Sequence, residues 1–217
     1  METPSPPTAP PPGQPPPPEQ PPPPPPPPSA EYPVTFSVDY PDRPLNRLTS
    51  FFRIFTVIPI AIVAAAIGVG VVVIPTLLMI VFREKYPRWW YDWNLNLLRF
   101  QNRIGVYAAL MEDRYPSTDE EQGVHLDFPY PDVTGQLNRW LPLVKWLLAI
   151  PHYVVLLFLF IGAIVAVIIA WFAILFTGRY PRGLFDYVEG VIRWHNRVMG
   201  YAFTLITDRY PPFSLSA

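Results

Sequence analysis

The side chains best spaced for chemistry in this sequence lie between Arg182 and Arg197. Asp186, Glu189, Arg193 and Arg197 recur at helical spacing, with Glu189–Arg193 and Arg193–Arg197 as i, i+4 pairs. Guanidinium groups in such a row can hold phosphate through paired hydrogen bonds, or can pair with acids on their own helix. Arg88, Asp92, Arg99 and Arg103 repeat the pattern earlier in the chain. Arg88, Arg99, Arg103, Arg182, Arg193 and Arg197 are therefore the candidate contacts for lipid headgroups or partner proteins. The competing expectation is structural: these arginines would pair with their own helix's acids and with the Asp-Arg-Tyr-Pro motifs at Asp113 and Asp208, fixing helix to strand.

Other chemistries lack their residues. No serine stands in a Gly-x-Ser-x-Gly elbow, no Gly-rich loop precedes a helix, and the chain has no cysteine. No catalytic residue, cofactor site or metal site is assigned, and no enzyme activity is expected. His125, His152 and His195 lie in unrelated contexts. His152 follows a proline inside an apolar stretch, where it is expected to bond a backbone carbonyl or to sit at a lipid interface. A proton relay there would need an intramembrane carboxylate, and the stretch contains none. A net charge of −1 argues against a nucleic-acid partner.

The elements that would carry these side chains occur twice. Val34 to Pro116 returns as Val124 to Pro211, with Tyr40-Pro41-Asp42 matching Tyr130-Pro131-Asp132 and Leu45-Asn46-Arg47 matching Leu137-Asn138-Arg139. Lys85-Tyr86-Pro87-Arg88 matches Arg179-Tyr180-Pro181-Arg182, and Asn102-Arg103 matches Asn196-Arg197. The alternation predicts a strand at Val34–Tyr40 and Val124–Tyr130, and a second at Val106–Asp113 and Tyr201–Asp208. Between them come an amphipathic lead-in (Leu45–Ile58, Leu137–Ile150), an apolar stretch, and an aromatic, basic amphipathic helix (Arg88–Arg103, Arg182–Arg197). Gly105 and Gly200 stand where a helix C-cap would need a left-handed residue.

Ile54 to Phe82 and Trp146 to Thr177 carry no Asp, Glu, Lys or Arg. Uncharged runs of this length are expected to lie in a membrane, and the aromatic residues around them suit its two interfaces. A straight helix over either run would measure roughly 44–48 Å, against a hydrocarbon core of about 30 Å. One solution is a single crossing, roughly Ile60–Phe82 and His152–Thr177. The other is a hairpin turning at Gly68 and Gly70, or at Gly162. The basic residues at both ends of each run, including Arg53 and Lys145, favour hairpins under the positive-inside rule, whereas a turn without polar residues disfavours them. Hairpins are the preferred expectation, with all four strands in one small cytoplasmic sheet.

The domain reading is a disordered tail at 1–31, membrane repeat units at 32–116 and 124–217, and an acidic linker at 117–123. The tail holds more than half of the 32 prolines, so it should be extended polyproline II, a spacer or a ligand for a proline-binding module. The fold class is membrane α-helical with small β-strand elements, as a tandem repeat.

Leu148-Ala-Ile-Pro-His-Tyr153, Ala170 to Asp186 and the terminal Thr207-Asp-Arg-Tyr-Pro-Pro-Phe-Ser-Leu215 resemble the DUF4389 family of bacterial membrane proteins. The resemblance extends over both repeats, about residues 32 to 215. The first repeat departs from it, with Trp89-Trp90 in place of Gly183-Leu184 and no histidine after Pro59. The resemblance implies a bacterial inner-membrane location and carries no catalytic residues. The expected function is a non-enzymatic scaffold or accessory subunit with both termini cytoplasmic, contacting the bilayer and other membrane proteins or itself. The alternative is a small transporter or lipid-handling protein.

Overall fold

A computed structural model describes residues 32–66, 70–118, 120–135 and 137–216. The proline-rich tail lies outside the described residues. Among them the order is β1 (Thr35–Val38), α1 (Arg47–Ala66), α2 (Gly70–Arg83), α3 (Arg88–Ala108), β2 (Val124–Asp127), α4 (Pro142–Leu148), α5 (Ile150–Thr177) and α6 (Arg182–Ala202). The chain is mostly helical with a small two-stranded antiparallel sheet.

The first expected strand of each repeat forms, though shorter than its alternation suggested. The second does not. Helices α3 and α6 run on past Arg103 and Arg197 to Ala108 and Ala202. Gly105 and Gly200 are interior to them rather than caps. The helices are instead left through leucines in the left-handed region, Leu110 at φ 65° and Leu205 at φ 58°. Met111 N–H bonds back to Val106 O at 3.1 Å, and Ile206 N–H to Gly200 O at 3.0 Å. The apolar residues that read as a strand are buried by this reversal: Val106, Leu110 and Met111 in one repeat, Tyr201, Leu205 and Ile206 in the other. Their apolar character records burial, and a helix end folded under itself buries them in adjacent pairs and runs rather than in a strand's alternation.

The apolar runs also differ from expectation. Helix α5 is unbroken for 28 residues, so no hairpin turns at Gly162. A Cβ at Gly162 would collide with the Tyr187 hydroxyl, which donates to Leu159 O at 3.0 Å. The glycine serves close helix approach, not chain reversal. In the first repeat, residues 67–69 of the supposed turn lie outside the described residues. The lead-in there is continuous with α1 through Pro59. In the second it is a separate helix, α4, and Pro151 opens α5 in the first turn, where a missing amide hydrogen costs nothing.

The two repeats face each other across a pseudo-two-fold axis. In the ladder Phe36 faces Leu126, its own repeat counterpart, and Thr35 faces Asp127 while Ser37 faces His125. Asn102 and Asn196, also counterparts, exchange side-chain amide hydrogen bonds at 2.9 and 2.7 Å while buried. The start of each lead-in docks on the end of the other repeat's apolar run. Leu45 N–H donates to Gly178 O at 2.8 Å, and Arg139 donates to Val81 O and pairs with Glu84 at 2.8 Å.

The core gathers β1, β2 and the inner faces of α3, α5 and α6, with Phe36, Val38, Leu126, Ala166, Ile174, Phe185 and Val191 at its centre. Much apolar surface stays outside it. Along α5, Leu157, Phe158, Ile161, Ile164, Ile168, Phe172 and Phe176 are exposed, and along α1 so are Leu48, Phe52, Ile54, Phe55, Ile58 and Ile62.

Candidate functional site

The axis decides where the arginines go. Arg99 on α3 donates from Nε to Leu126 O at 2.9 Å, and Arg193 on α6 donates from Nε to Phe36 O at 2.8 Å. Each repeat's arginine thus reaches the other repeat's strand. Glu189 accepts from Val38 N–H at 3.2 Å and from Arg193 at 2.6 Å. A two-stranded sheet has outward backbone groups on both strands, and these side chains satisfy several of them.

Arg103 donates to Ser117 O at 2.6 Å, and Arg197 donates to Ser216 O at 2.9 Å and Ser214 O at 3.3 Å. Both arginines hold the backbone just beyond their own Asp-Arg-Tyr-Pro motif. Arg99, Arg103, Arg193 and Arg197 come together around one cleft of about 590 Å³, also lined by Tyr32, Glu121, His125 and Asp127. Among the described residues none of α1, α2, α4 or α5 lines it.

Arg88 and Arg182 stand apart from the cleft. Both are exposed and pair at i, i+4 with Asp92 at 3.3 Å and Asp186 at 2.9 Å. Their guanidinium carbons lie 5.0 Å from the Tyr130 ring and 4.5 Å from the Tyr40 ring, again across the repeats. Asp92 is thus taken by Arg88, whereas Arg99 meets Asp127 at 3.3 Å.

The Asp-Arg-Tyr-Pro aspartates have a different partner from the one expected. Asp113 pairs with Arg53 at 2.6 Å and accepts from Asn46 N–H at 2.8 Å. Asp208 pairs with Lys145 at 2.7 Å and accepts from Asn138 N–H at 2.5 Å. Arg53 and Lys145 are buried at 3% and 0% exposure, so they do not belong to a basic collar facing headgroups. Their guanidinium and ammonium groups lie 4.0 Å and 5.2 Å from the Tyr107 and Tyr201 rings. Burial pulls the Lys145 pKa below the usual lysine value, and Asp208 opposes that shift. Sequence reasoning counted these two cations by position along the chain. Their signal was the recurrence of a cation eight residues after Leu45 and Leu137 together with the invariant closing aspartate.

His152 is fully buried and meets neither expectation for it. Its Nδ1 accepts from Trp194 Nε1 at 3.0 Å, and its ring stacks on Phe213 at 4.1 Å. His125 meets Asp39 at 3.2 Å, and His195 lies 5.5 Å from Phe160. Among the described residues no group of three or more His, Asp or Glu gathers as metal ligands. The geometry offers a cleft lined by four arginines, two buried ion pairs, and a broad apolar face.

A family model described as "Domain of unknown function (DUF4389)" matches twice, over residues 47–118 and 140–214. Both strands fall outside the matched segments. No curated protein and no solved structure matches the chain.

Proposed function

This chain belongs to the DUF4389 family and carries its domain twice, and on that premise we propose that it is a non-enzymatic scaffold or accessory subunit of a bacterial inner-membrane complex. The observation that carries the reading is the exposed apolar face. Helix α5 is long and apolar enough to cross a membrane, and its outer residues continue onto the exposed side chains of α1. Soluble monomers rarely expose apolar patches above a few hundred Å², so lipid or another membrane protein would cover this one. Exposed indoles at Trp89, Trp93, Trp140 and Trp146 border the apolar helices in sequence and suit an interface.

The arginine geometry supports a scaffold in a second way. Of the six candidates, Arg99 and Arg193 tie each repeat to the other's strand through backbone carbonyls, and Arg103 and Arg197 fix the end of their own repeat. Arg88 and Arg182 are exposed beside aromatic rings and remain the proposed headgroup or partner contacts. Purification from native membranes in mild detergent tests the reading. A stoichiometric partner that is lost on replacing Ile54 and Phe55 by serine supports it; a lone protein carrying defined lipid would count against it.

The alternative, a lipid-handling protein, rests on the cleft between the repeats. An anionic headgroup would have to reach it from the polar side, because its lining excludes the apolar helices. Transport of a substrate across the membrane has less support for the same reason.

A further inference from the structure

We infer that α5 lies along the bilayer surface, with its outer face sunk at the boundary of headgroups and acyl chains, and does not cross it. The inference rests on the membrane reading above and concerns only its geometry. Polar partners hold the inner side of α5 over its whole length. Near its start, Trp194 donates to His152 Nδ1 at 3.0 Å. Farther on, Tyr187 donates to Leu159 O at 3.0 Å, and Trp171 donates to Ser50 O at 3.1 Å. At its end Arg47 donates to Phe176 O at 3.3 Å.

Helix α6 is tied to α5 at both ends. It begins a few residues after Thr177, and its last turns pack on Ala149, Tyr153 and Leu156. A helix of 21 residues, about 31 Å long, makes both connections only by running back beside α5. The other face of α6 holds the Glu189–Arg193 pair and the edge of β1. If α5 stood across the membrane, that ion pair and the outward sheet residues His125 and Asp127 would lie at hydrocarbon depth. Charged groups and open sheet edges are not tolerated there when they face lipid. Lying flat removes the conflict, because the apolar row faces lipid while α6, the sheet and the cleft face water. It also removes the length mismatch of a helix about 42 Å long against a core of about 30 Å. Interfacial helices are amphipathic; here the polar side is supplied by the domain packed on α5.

The absence of cysteine makes a depth scan direct. Single variants Leu157→Cys, Ile161→Cys, Ile164→Cys, Ile168→Cys, Phe172→Cys and Phe176→Cys replace exposed side chains and leave the core intact. Each full-length variant is spin-labelled and reconstituted into mixed phosphatidylcholine and phosphatidylglycerol vesicles. Collision rates with oxygen and with a water-soluble nickel complex then report depth. The expected result is one shallow depth at all six positions. Depth that peaks near Ile164 and falls toward both ends would overturn the inference and leave the membrane reading standing. Labels accessible only to the water-soluble reagent, with chain that fails to float with vesicles, would overturn both.

Discussion

Lys145 and Arg88 are both basic residues beside an apolar run, and their environments give them opposite weights. Lys145 is buried and answers a largely buried carboxylate. Removing one partner of such a pair leaves the other charge uncompensated, at a cost of about 3–5 kcal/mol. Lys145→Met should therefore lower unfolding stability by that order in a denaturant titration. Arg88→Ala removes an exposed pair and should cost less than about 1 kcal/mol. His195 makes a pH prediction. Burial pushes its pKa from 6.5 down to about 4. As pH falls below the unfolded value, the unfolded chain takes up the proton first, so stability declines between about pH 6.5 and 4 and then levels. His195→Gln should flatten that slope in thermal melts across this range. Neither weight was legible from residue type; both depend on what the fold places around the side chain.

At the scale of elements, the two long helices of the second repeat are spaced by one glycine. Gly162→Ala should destabilise by about 1–3 kcal/mol, because the added methyl meets the Tyr187 hydroxyl. Tyr187→Phe in the same chain removes that oxygen and should recover part of the loss, although alone it forfeits the bond to Leu159 O. A double-mutant cycle by chemical unfolding measures the coupling. An αα approach that demands glycine and a turn that demands glycine look the same in a sequence, which is why Gly162 read as a turn. The helices α3 and α6 were legible from their amphipathic spacing. Their last turns were not, because no glycine or proline marks the leucines that reverse the chain.

The whole molecule behaves as two interlocked copies. Arg99 and Arg193 bond each other's strands, Asn102 and Asn196 bond each other, and each lead-in docks on the other repeat's exit. A single repeat would therefore expose half of every one of these interactions. Fragments 1–118 and 120–217 expressed together should co-purify in detergent, whereas each alone should aggregate. Asn102→Ala should weaken their association by about 1–3 kcal/mol, since it leaves the Asn196 amide buried without its partner. Size-exclusion chromatography of the mixed fragments checks both outcomes.

The sequence by itself determined the duplication, the position of every counterpart residue, and the two uncharged runs. Those are facts of order and composition, and they survive in one dimension. The tertiary structure decided which copy each side chain serves. It turned four candidate arginines inward to the axis and left two outside. It also paired the closing aspartates with the buried cations of the lead-ins. The physical reason is the two-fold: it brings residues far apart in the chain to hydrogen-bond distance, and local spacing carries no record of that approach.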